Sequence, residues 1–205
     1  MISRRSVLGS AAAGLALAPA LVKAAPSAEP ANLAAGAKPI SPEERAARLA
    51  KVQGLMQQAG IGALLVEPGS SLVYFTGVSW WRSERLTAAL IPAEGEVTVV
   101  TPFFEAPSIR ESLAVPAGIR TWNEHENPLK LVADWLREKK LTDKPVAIEE
   151  TVRHFIVDGL QRALPGVQVV NGAAVVRACR MHKSAAEIAL MKTAADITTA
   201  AFRDR

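Results

Sequence analysis

Apolar positions along the chain alternate between helical spacing and short continuous runs, and this alternation predicts an α/β fold. Ser41 and Glu44 form a capping box that starts a first helix, and Gly60 ends it. The next run, residues 61–66, is apolar throughout, as in a strand that is covered on both faces. Further strands are predicted at residues 86–91, 96–100, 118–122, 146–148 and 167–170, and further helices at residues 103–113, 129–140 and 152–164.

The connections between these elements indicate a mixed sheet flanked by helices. Pro92-Ala93-Glu94-Gly95 joins two strands and predicts an antiparallel hairpin, whereas the remaining strands alternate with helices. Residues 68–71 are interpreted as a turn. The single cysteine, Cys179, is expected to be a small buried residue on or near a strand. A catalytic thiol would need a placed base, which the nearby His182 does not establish.

The last segment of the sequence predicts a helix whose apolar face needs a covering surface. Ser184 and Glu187 have the spacing of a capping box, and no Gly or Pro ends the helix after them. The residues that follow at helical spacing on one face are Ile188, Met191, Ala195, Thr198 and Phe202. We therefore expect this chain to be the front part of a larger protein.

The first 24 residues have the pattern of an export signal. Arg4 and Arg5 precede a short apolar run at residues 7–17, and small residues at positions 22–24 form an exit site. The run around the two arginines resembles a twin-arginine signal, which predicts an exported, periplasmic protein; an ordinary Sec signal with two chance arginines is the alternative. Residues 25–40, rich in Ala and Pro, are interpreted as a disordered tether.

Charge adds little to the functional prediction. The signal carries three basic residues and no acid, so its removal leaves about +1 of the formal +4. The remaining sequence has no clustered basic face and no interleaving of basic with aromatic residues, which argues against a nucleic-acid partner.

Candidate catalytic and metal-binding residues are sparse. The histidines, His125, His154 and His182, are scattered, and Glu124-His125-Glu126 is interpreted as a solvated loop. Glu149-Glu150 follows a strand; an acid–base role is conceivable, but charge at a helix N-terminus explains the pair more simply.

The loop at residues 75–85 stands out because it contains two adjacent tryptophans among charged residues. Trp80, Trp81, Arg82 and Arg85 are the residue types that anchor interfaces. Two interpretations stay open: the tryptophans pack on the core of their own domain, or they form a contact surface for another domain or a shared cleft.

Three segments resemble the creatinase/prolidase/aminopeptidase P family. They are the segment beginning Arg48-Leu49-Ala50-Lys51, the segment Val73-Tyr74-Phe75-Thr76-Gly77, and the junction from Arg177 through Lys183-Ser184 to Glu187-Ile188. The resemblance extends from about Ser41 to Arg205.

This resemblance implies a two-domain architecture. Residues 41–176 would be the N-terminal domain, a mixed-sheet α/β layer of ribonuclease H-like type, and residues 177–205 would be the inter-domain junction and the first helix of a catalytic "pita-bread" domain. That second domain would hold a dinuclear centre of Mn, Co or Zn type through two aspartates, a histidine and two glutamates, and would act on proline-containing peptides. The N-terminal domain would cover the cleft and support dimerisation.

The resemblance assigns no catalytic or metal-binding residue to this chain, since Asp196 and Asp204 do not match the metal motifs of the family. We therefore expect no cofactor in this chain and no hydrolysis by it alone. The interface candidates are Trp80, Trp81, Arg82 and Arg85, and the junction candidates are Arg177, Lys183, Ser184 and Glu187. The expected partner is a catalytic domain or a second subunit, and the alternative function is a free-standing binding or dimerisation module.

Overall fold

The computed structural model describes residues 32–203. The chain divides into two units, Met1–Leu33 and Ala34–Arg205, and nearly all of the described residues belong to the second. The predicted export signal, residues 25–31 of the predicted tether, and Asp204 lie outside the described residues. Of the tether, residues 32–40 are described; they contain a turn and are largely exposed.

Within residues 32–203, the structure contains six strands and seven α-helices. The strands are β1 (Ala63–Val66), β2 (Ala88–Pro92), β3 (Val97–Pro102), β4 (Ala117–Trp122), β5 (Val146–Ile148) and β6 (Val169–Asn171). The helices are α1 (Pro42–Gln58), α2 (Ser70–Thr76), α3 (Ala106–Ser112), α4 (Pro128–Glu138), α5 (His154–Ala163), α6 (Ala173–Arg180) and α7 (Ala185–Arg203), and a 3₁₀ turn at Phe103–Glu105 precedes α3.

The six strands form one mixed sheet in the order β4-β3-β2-β1-β5-β6. β2 is antiparallel to both of its neighbours, β1 and β3, while the other neighbouring pairs are parallel. This arrangement confirms the predicted mixed sheet and the hairpin between β2 and β3. All strands except β2 therefore end at the same side of the sheet, which we call the carboxyl edge.

Helices cover both faces of the sheet, and β1 lies between two apolar clusters. Ala63 and Leu65 point to the cluster that includes α4 and α5, with Trp135 fully buried in it. Leu64 and Val66 point to the opposite cluster, formed with α1, α2 and α6. Both faces of β1 are thus buried, as the continuous apolar run predicted.

Two helices were absent from the prediction. Residues 70–76 form α2, so the turn expected at residues 68–71 is wrong. The helix was missed because seven residues are too few for a recognisable helical period. Gly77 ends this helix with φ at 84°. The second omitted helix is α6. It contains Cys179, which is buried as predicted, but the predicted position of this residue on or near a strand is wrong. α5 also begins two residues later than predicted, at His154.

The long helix α7 contains no buried residue. Its capping box is confirmed: the Ser184 hydroxyl accepts from the Glu187 amide at 3.1 Å, and the Glu187 carboxylate accepts from the Ser184 amide at 2.9 Å. The predicted apolar face is largely exposed, with Phe202 at 76%. Among the described residues, no helix has both the length and the apolarity of a membrane span.

Candidate functional site

Two glutamates are buried at the carboxyl edge. Glu67 directly follows β1 and is 1% exposed, and Glu149 directly follows the neighbouring parallel strand β5 and is 4% exposed. A carboxylate in such a position must be compensated by charged or hydrogen-bonding partners. Glu67 receives such partners from a residue distant in the sequence, and Glu149 receives them from one distant and one neighbouring residue.

Glu67 is compensated by Arg153. The Arg153 guanidinium donates to Oε1 of Glu67 at 2.6 and 3.0 Å, and the Arg153 backbone amide donates to Oε2 at 2.8 Å. The same guanidinium donates to the backbone carbonyl of Ser83 and lies 4.7 Å from the ring centre of Phe155. Arg153 therefore ties the loop that contains Ser83 to a buried charge.

Glu149 lies at the centre of a second network. Its carboxylate accepts hydrogen bonds from the Ser71 hydroxyl at 2.9 Å and from the Thr151 hydroxyl at 2.6 Å. Arg180 of α6 donates to Ser71 at 2.9 Å, and Arg82 donates to Thr151 at 2.5 Å. The network thereby connects the junction helix α6 with the tryptophan loop, defined here as residues 77–87.

The interpretation of Glu149-Glu150 as helix N-terminal charge was wrong, because α5 begins only at His154. Glu149 accepts the hydrogen bonds just described. Glu150 instead forms an ion pair with Arg177 of α6, and the hydrogen bond from Arg177 lowers the pKa of Glu150 below its usual value. The two adjacent carboxylates thus have separate partners.

The two adjacent tryptophans of the tryptophan loop have different environments. Trp80 is half-buried against the core, and its indole N–H donates to Glu105 at 3.1 Å. Trp81 is 91% exposed. The open interpretations therefore divide between the two residues: Trp80 packs on its own domain, and Trp81 is available for contact.

Arg82 and Arg85 hold the tryptophan loop against the sheet. Nε of Arg82 donates to the carbonyl of Pro68 at 2.9 Å. Nε of Arg85 donates to Glu124 at 2.7 Å, and its guanidinium lies 5.6 Å from the ring centre of Phe104. The two arginines predicted as interface residues thus also position the loop that displays Trp81.

Three exposed phenylalanines lie at the same edge of the sheet as Trp81, and none of them was predicted from the sequence as a contact residue. Phe103 and Phe104 follow β3 at the carboxyl edge, and Phe155 lies in the first turn of α5, which follows β5; all three are exposed. The sequence signal for Phe103 and Phe104 was their position a few residues after a predicted strand, whereas Phe155 was predicted within a helix and gave no such signal. We use the name aromatic patch for the exposed aromatic residues of this edge, which are Trp81, Phe103, Phe104 and Phe155; of these, Phe103 and Phe104 are in edge-to-face contact.

A second group of polar residues joins α7 to the domain. This group, the junction cluster, consists of Glu44, Arg48, Tyr74, Ser184 and Glu187. Arg48 forms ion pairs with Glu44 at 2.6 Å and with Glu187 at 3.2 Å. The Ser184 hydroxyl donates to Glu44 at 2.8 Å. The carboxylate of Glu44, which the sequence assigned to the capping box of α1, thus points to Arg48 and Ser184.

The electrostatics of the junction cluster favour a charged Glu44. Burial opposes the ionisation of Glu44, but hydrogen bonds from Ser184 and Arg48 outweigh it, so the pKa of this carboxyl lies below its usual value. Burial also raises the pKa of the Tyr74 hydroxyl, which donates to the backbone carbonyl of Cys179 at 2.9 Å.

The four junction candidates lie close together. Ser184 and Glu187 belong to the junction cluster, and a surface groove of about 390 Å³ beside it is lined by Tyr74, Arg177, Lys183 and Glu187, among others. The groove contains both signs of charge, and Lys183 donates to the carbonyl of Met181 at 3.1 Å.

Neither group has the chemistry of a metal centre. Within residues 32–203, no group of three or more His, Cys, Asp or Glu residues lies close enough together to hold a metal ion. Glu67 and Glu149 are engaged by arginine, serine and threonine donors. The thiol of Cys179 is buried, which raises its pKa and disfavours the reactive thiolate.

Comparison with known proteins gives the family. The profile of the Creatinase/Prolidase N-terminal domain matches residues 48–182. The chain belongs to this family, which confirms the resemblance inferred from the segments around Arg48, Tyr74 and Arg177.

The relatives are longer proteins. The chain is 33% identical over 165 residues to the probable dipeptidase PepE of Mycobacterium tuberculosis, a match that covers 79% of this chain and 43% of PepE. It spans between 38% and 45% of the length of the curated relatives it matches.

Two solved structures illustrate the shared fold. A recombinant prolidase from Thermococcus sibiricus matches with a TM-score of 0.72 at 23% identity, covering 82% of this chain and 44% of the prolidase. The N-terminal domain of Xaa-Pro dipeptidase from Lactobacillus brevis matches with a TM-score of 0.59 at 18% identity, covering 64% of this chain and 98% of that chain. At these identities, the likeness concerns the fold alone.

Proposed function

We propose that this chain is the non-catalytic N-terminal domain of an exported metallopeptidase of Xaa-Pro aminopeptidase or prolidase type. In this role it covers the active-site cleft of a catalytic domain and supports dimerisation. The observation that carries the proposal is the family match over residues 48–182, together with relatives of which the chain spans less than half.

The surface of the domain supports a contact role. The aromatic patch consists of large exposed side chains, which would bury much surface area in a complex at low entropic cost. Arginines lie beside it at the carboxyl edge. The apolar face of α7 is a second exposed surface, which includes Met191 and Phe202. We assign the aromatic patch to the cleft or the partner subunit, and the α7 face to the catalytic domain.

The residues described here do not fit the dinuclear metal centre that the family implies. The centre requires several converging carboxylates and an imidazole, and the described part of the chain contains no such group. The proposal therefore places the metal ions and the hydrolytic step in the catalytic domain. The N-terminal domain contributes by excluding water from the cleft, limiting substrate length and fixing the position of the catalytic domain relative to itself.

The alternative is a free-standing binding or dimerisation module. Two observations favour it: residues 34–203 have a core on both faces of the sheet, and the solved Lactobacillus brevis chain comprises an N-terminal domain. This alternative would also use Trp81 as a contact residue, so a contact at Trp81 does not separate the two proposals. They differ in the size of the natural polypeptide.

An immunoblot of the organism that carries the gene distinguishes these proposals. An antibody raised against the purified domain is applied to separated cytoplasmic and periplasmic fractions. We expect a periplasmic polypeptide nearly twice the length of this chain, because 79% of the chain matches only 43% of PepE. A periplasmic product of the size of this chain alone would support the free-standing module, and a purely cytoplasmic product would contradict export.

A further inference from the structure

The direction of α7 is not set by apolar burial. The helix has 19 residues, none of them buried, and would be about 28 Å long at the usual rise per residue. Helices in proteins are normally held by packing of an amphipathic face, but here Ile188, Met191 and Phe202 are exposed. The contacts that fix this helix must therefore lie at its first turn.

The capping box of α7 makes two sets of contacts at once. The Ser184 hydroxyl accepts from the Glu187 amide within the cap and donates its own hydrogen to Glu44 of α1 at 2.8 Å. The Glu187 carboxylate accepts from the Ser184 amide with Oε2, while Oε1 lies 3.2 Å from the Arg48 guanidinium. Both capping side chains thus also reach α1, Ser184 through a hydrogen bond and Glu187 through an ion pair.

The receiving side of these contacts is itself rigidly held. Arg48 is only 7% exposed, and its guanidinium donates to Glu44 of the same helix and to the carbonyl of Tyr74 at 3.2 Å. The guanidinium also lies 4.1 Å from the ring centre of Tyr74. Tyr74 in turn donates to the carbonyl of Cys179 at 2.9 Å. Arg48 is therefore fixed by α1, α2 and α6 together.

We propose that the junction cluster is a latch that fixes the direction of α7 on the domain, with Arg48 as its central positioning residue. The helix is then a rigid arm whose orientation is set by polar contacts within one turn. Its use, the orientation of a catalytic domain against this one, rests on the proposed function. The latch itself is a property of this chain and can be tested without any partner.

Two substitutions open the latch while leaving the helix capped. Ser184→Asp keeps a good N-cap acceptor but places a second carboxylate against Glu44. Glu187→Gln keeps the residue type that completes a capping box but removes the charge that pairs with Arg48. Ser184→Thr, which retains both the acceptor and the donor, is the matched control at the same position. Asp196→Asn, which breaks the Lys192–Asp196 pair farther along α7, is the control within the helix.

The test measures the distance between spin labels on α1 and α7. Labels are attached to Gln58→Cys and Thr199→Cys, which are exposed sites. The buried Cys179 should take no label, which the protein without added cysteines verifies. Circular dichroism and cooperative unfolding establish that each variant keeps its helix content and its core.

We expect one narrow distance distribution for the wild type and for both controls, and a distribution at least twice as broad for the double variant Ser184→Asp/Glu187→Gln. A broad distribution in the wild type would overturn the latch, because α7 would then be free. A narrow distribution in the double variant would also overturn it, because other contacts would then hold the helix. Neither result would bear on whether a catalytic domain exists.

Discussion

Trp80 and Trp81 show how far neighbouring residues with the same side chain can differ in role. The indole of Trp80 packs against the core and donates to Glu105, whereas that of Trp81 is almost fully exposed. Tryptophan is enriched among the residues that dominate binding energy at interfaces, so an almost fully exposed indole is a candidate contact residue. Trp80 thus contributes to the core of its own domain, and the proposed contact role falls to Trp81 alone.

Alanine substitution should separate these two roles. Trp80→Ala should lower the free energy of unfolding by about 1–3 kcal/mol, since it removes a half-buried ring and one of the hydrogen bonds that Glu105 accepts, leaving those from Thr87 and Thr101. Trp81→Ala should change the free energy of unfolding by less than about 0.5 kcal/mol, as expected for an exposed position. Chemical denaturation of the two variants, each the control for the other, measures the difference, and the reverse order of stability would contradict the assignment.

The residue-level features that the sequence predicted are the local ones. The capping box of Ser184 and Glu187 was recognisable because its partners are three residues apart. The pairing of Glu67 with Arg153 joins residues that are 86 positions apart, and no local pattern indicates it. The second role of Ser184, its bond to Glu44, was missed for the same reason.

At the scale of elements, α2 and α6 connect the sheet to both candidate sites. α2 contributes Ser71 to the network around Glu149 and Tyr74 to the junction cluster. α6 contributes Arg180 to the first and a backbone carbonyl to the second. The two helices that the prediction omitted are therefore the ones that link the aromatic patch with α7.

The omission of these helices has a physical explanation. The Tyr-Phe-Thr-Gly segment was recognised as a family feature, but α2 is only seven residues long and its period is too short to read. For α6 a signal existed, because Val175, Val176 and Cys179 have helical spacing and are its buried residues. The boundaries of β5 and the helical character of α4 and α7, by contrast, followed directly from the apolar pattern.

The turn that ends α2 should tolerate no side chain. Gly77 has φ at 84°, and a Cβ there would lie 2.5 Å from Cβ of Ala114, whose backbone N–H donates a hydrogen bond to the carbonyl of Thr76. Gly77→Ala should therefore cost more than about 1 kcal/mol of the free energy of unfolding. Gly54→Ala, within α1 and with open space around it, should stabilise the domain by about 0.5–1 kcal/mol.

Thermal or chemical unfolding of both glycine variants measures these effects against the wild type. Gly54→Ala is the matched control, because it makes the same chemical change at a helical position without steric conflict. Equal stability of the two variants would contradict the requirement for glycine at the end of α2.

At the scale of the whole molecule, the aromatic patch and the apolar face of α7 are the two exposed surfaces to which we assign contacts. The aromatic patch lies at the carboxyl edge, and the apolar face of α7 begins at the junction cluster. A continuous chain of hydrogen bonds connects α6 with the tryptophan loop. It runs through Arg180, Ser71, Glu149, Thr151 and Arg82. This architecture suits a domain that positions other parts of an assembly.

The class of fold could be predicted from the sequence, but the strand order could not. Alternating helices and strands with one hairpin indicate a mixed sheet, whereas the central position of β1 between β2 and β5 depends on pairing across about 80 residues. The family motifs supplied the domain type, which the family match confirmed.

The most direct test of the central claim is a combined assay of metal content and hydrolysis on the purified chain. The protein is incubated with Mn²⁺, Co²⁺ or Zn²⁺, freed of unbound ions, and analysed for metal and for cleavage of proline-containing dipeptides. We expect no stoichiometric metal and no turnover, because the groups proposed to carry out hydrolysis belong to a catalytic domain. Two metal ions per chain accompanied by dipeptide cleavage would contradict it.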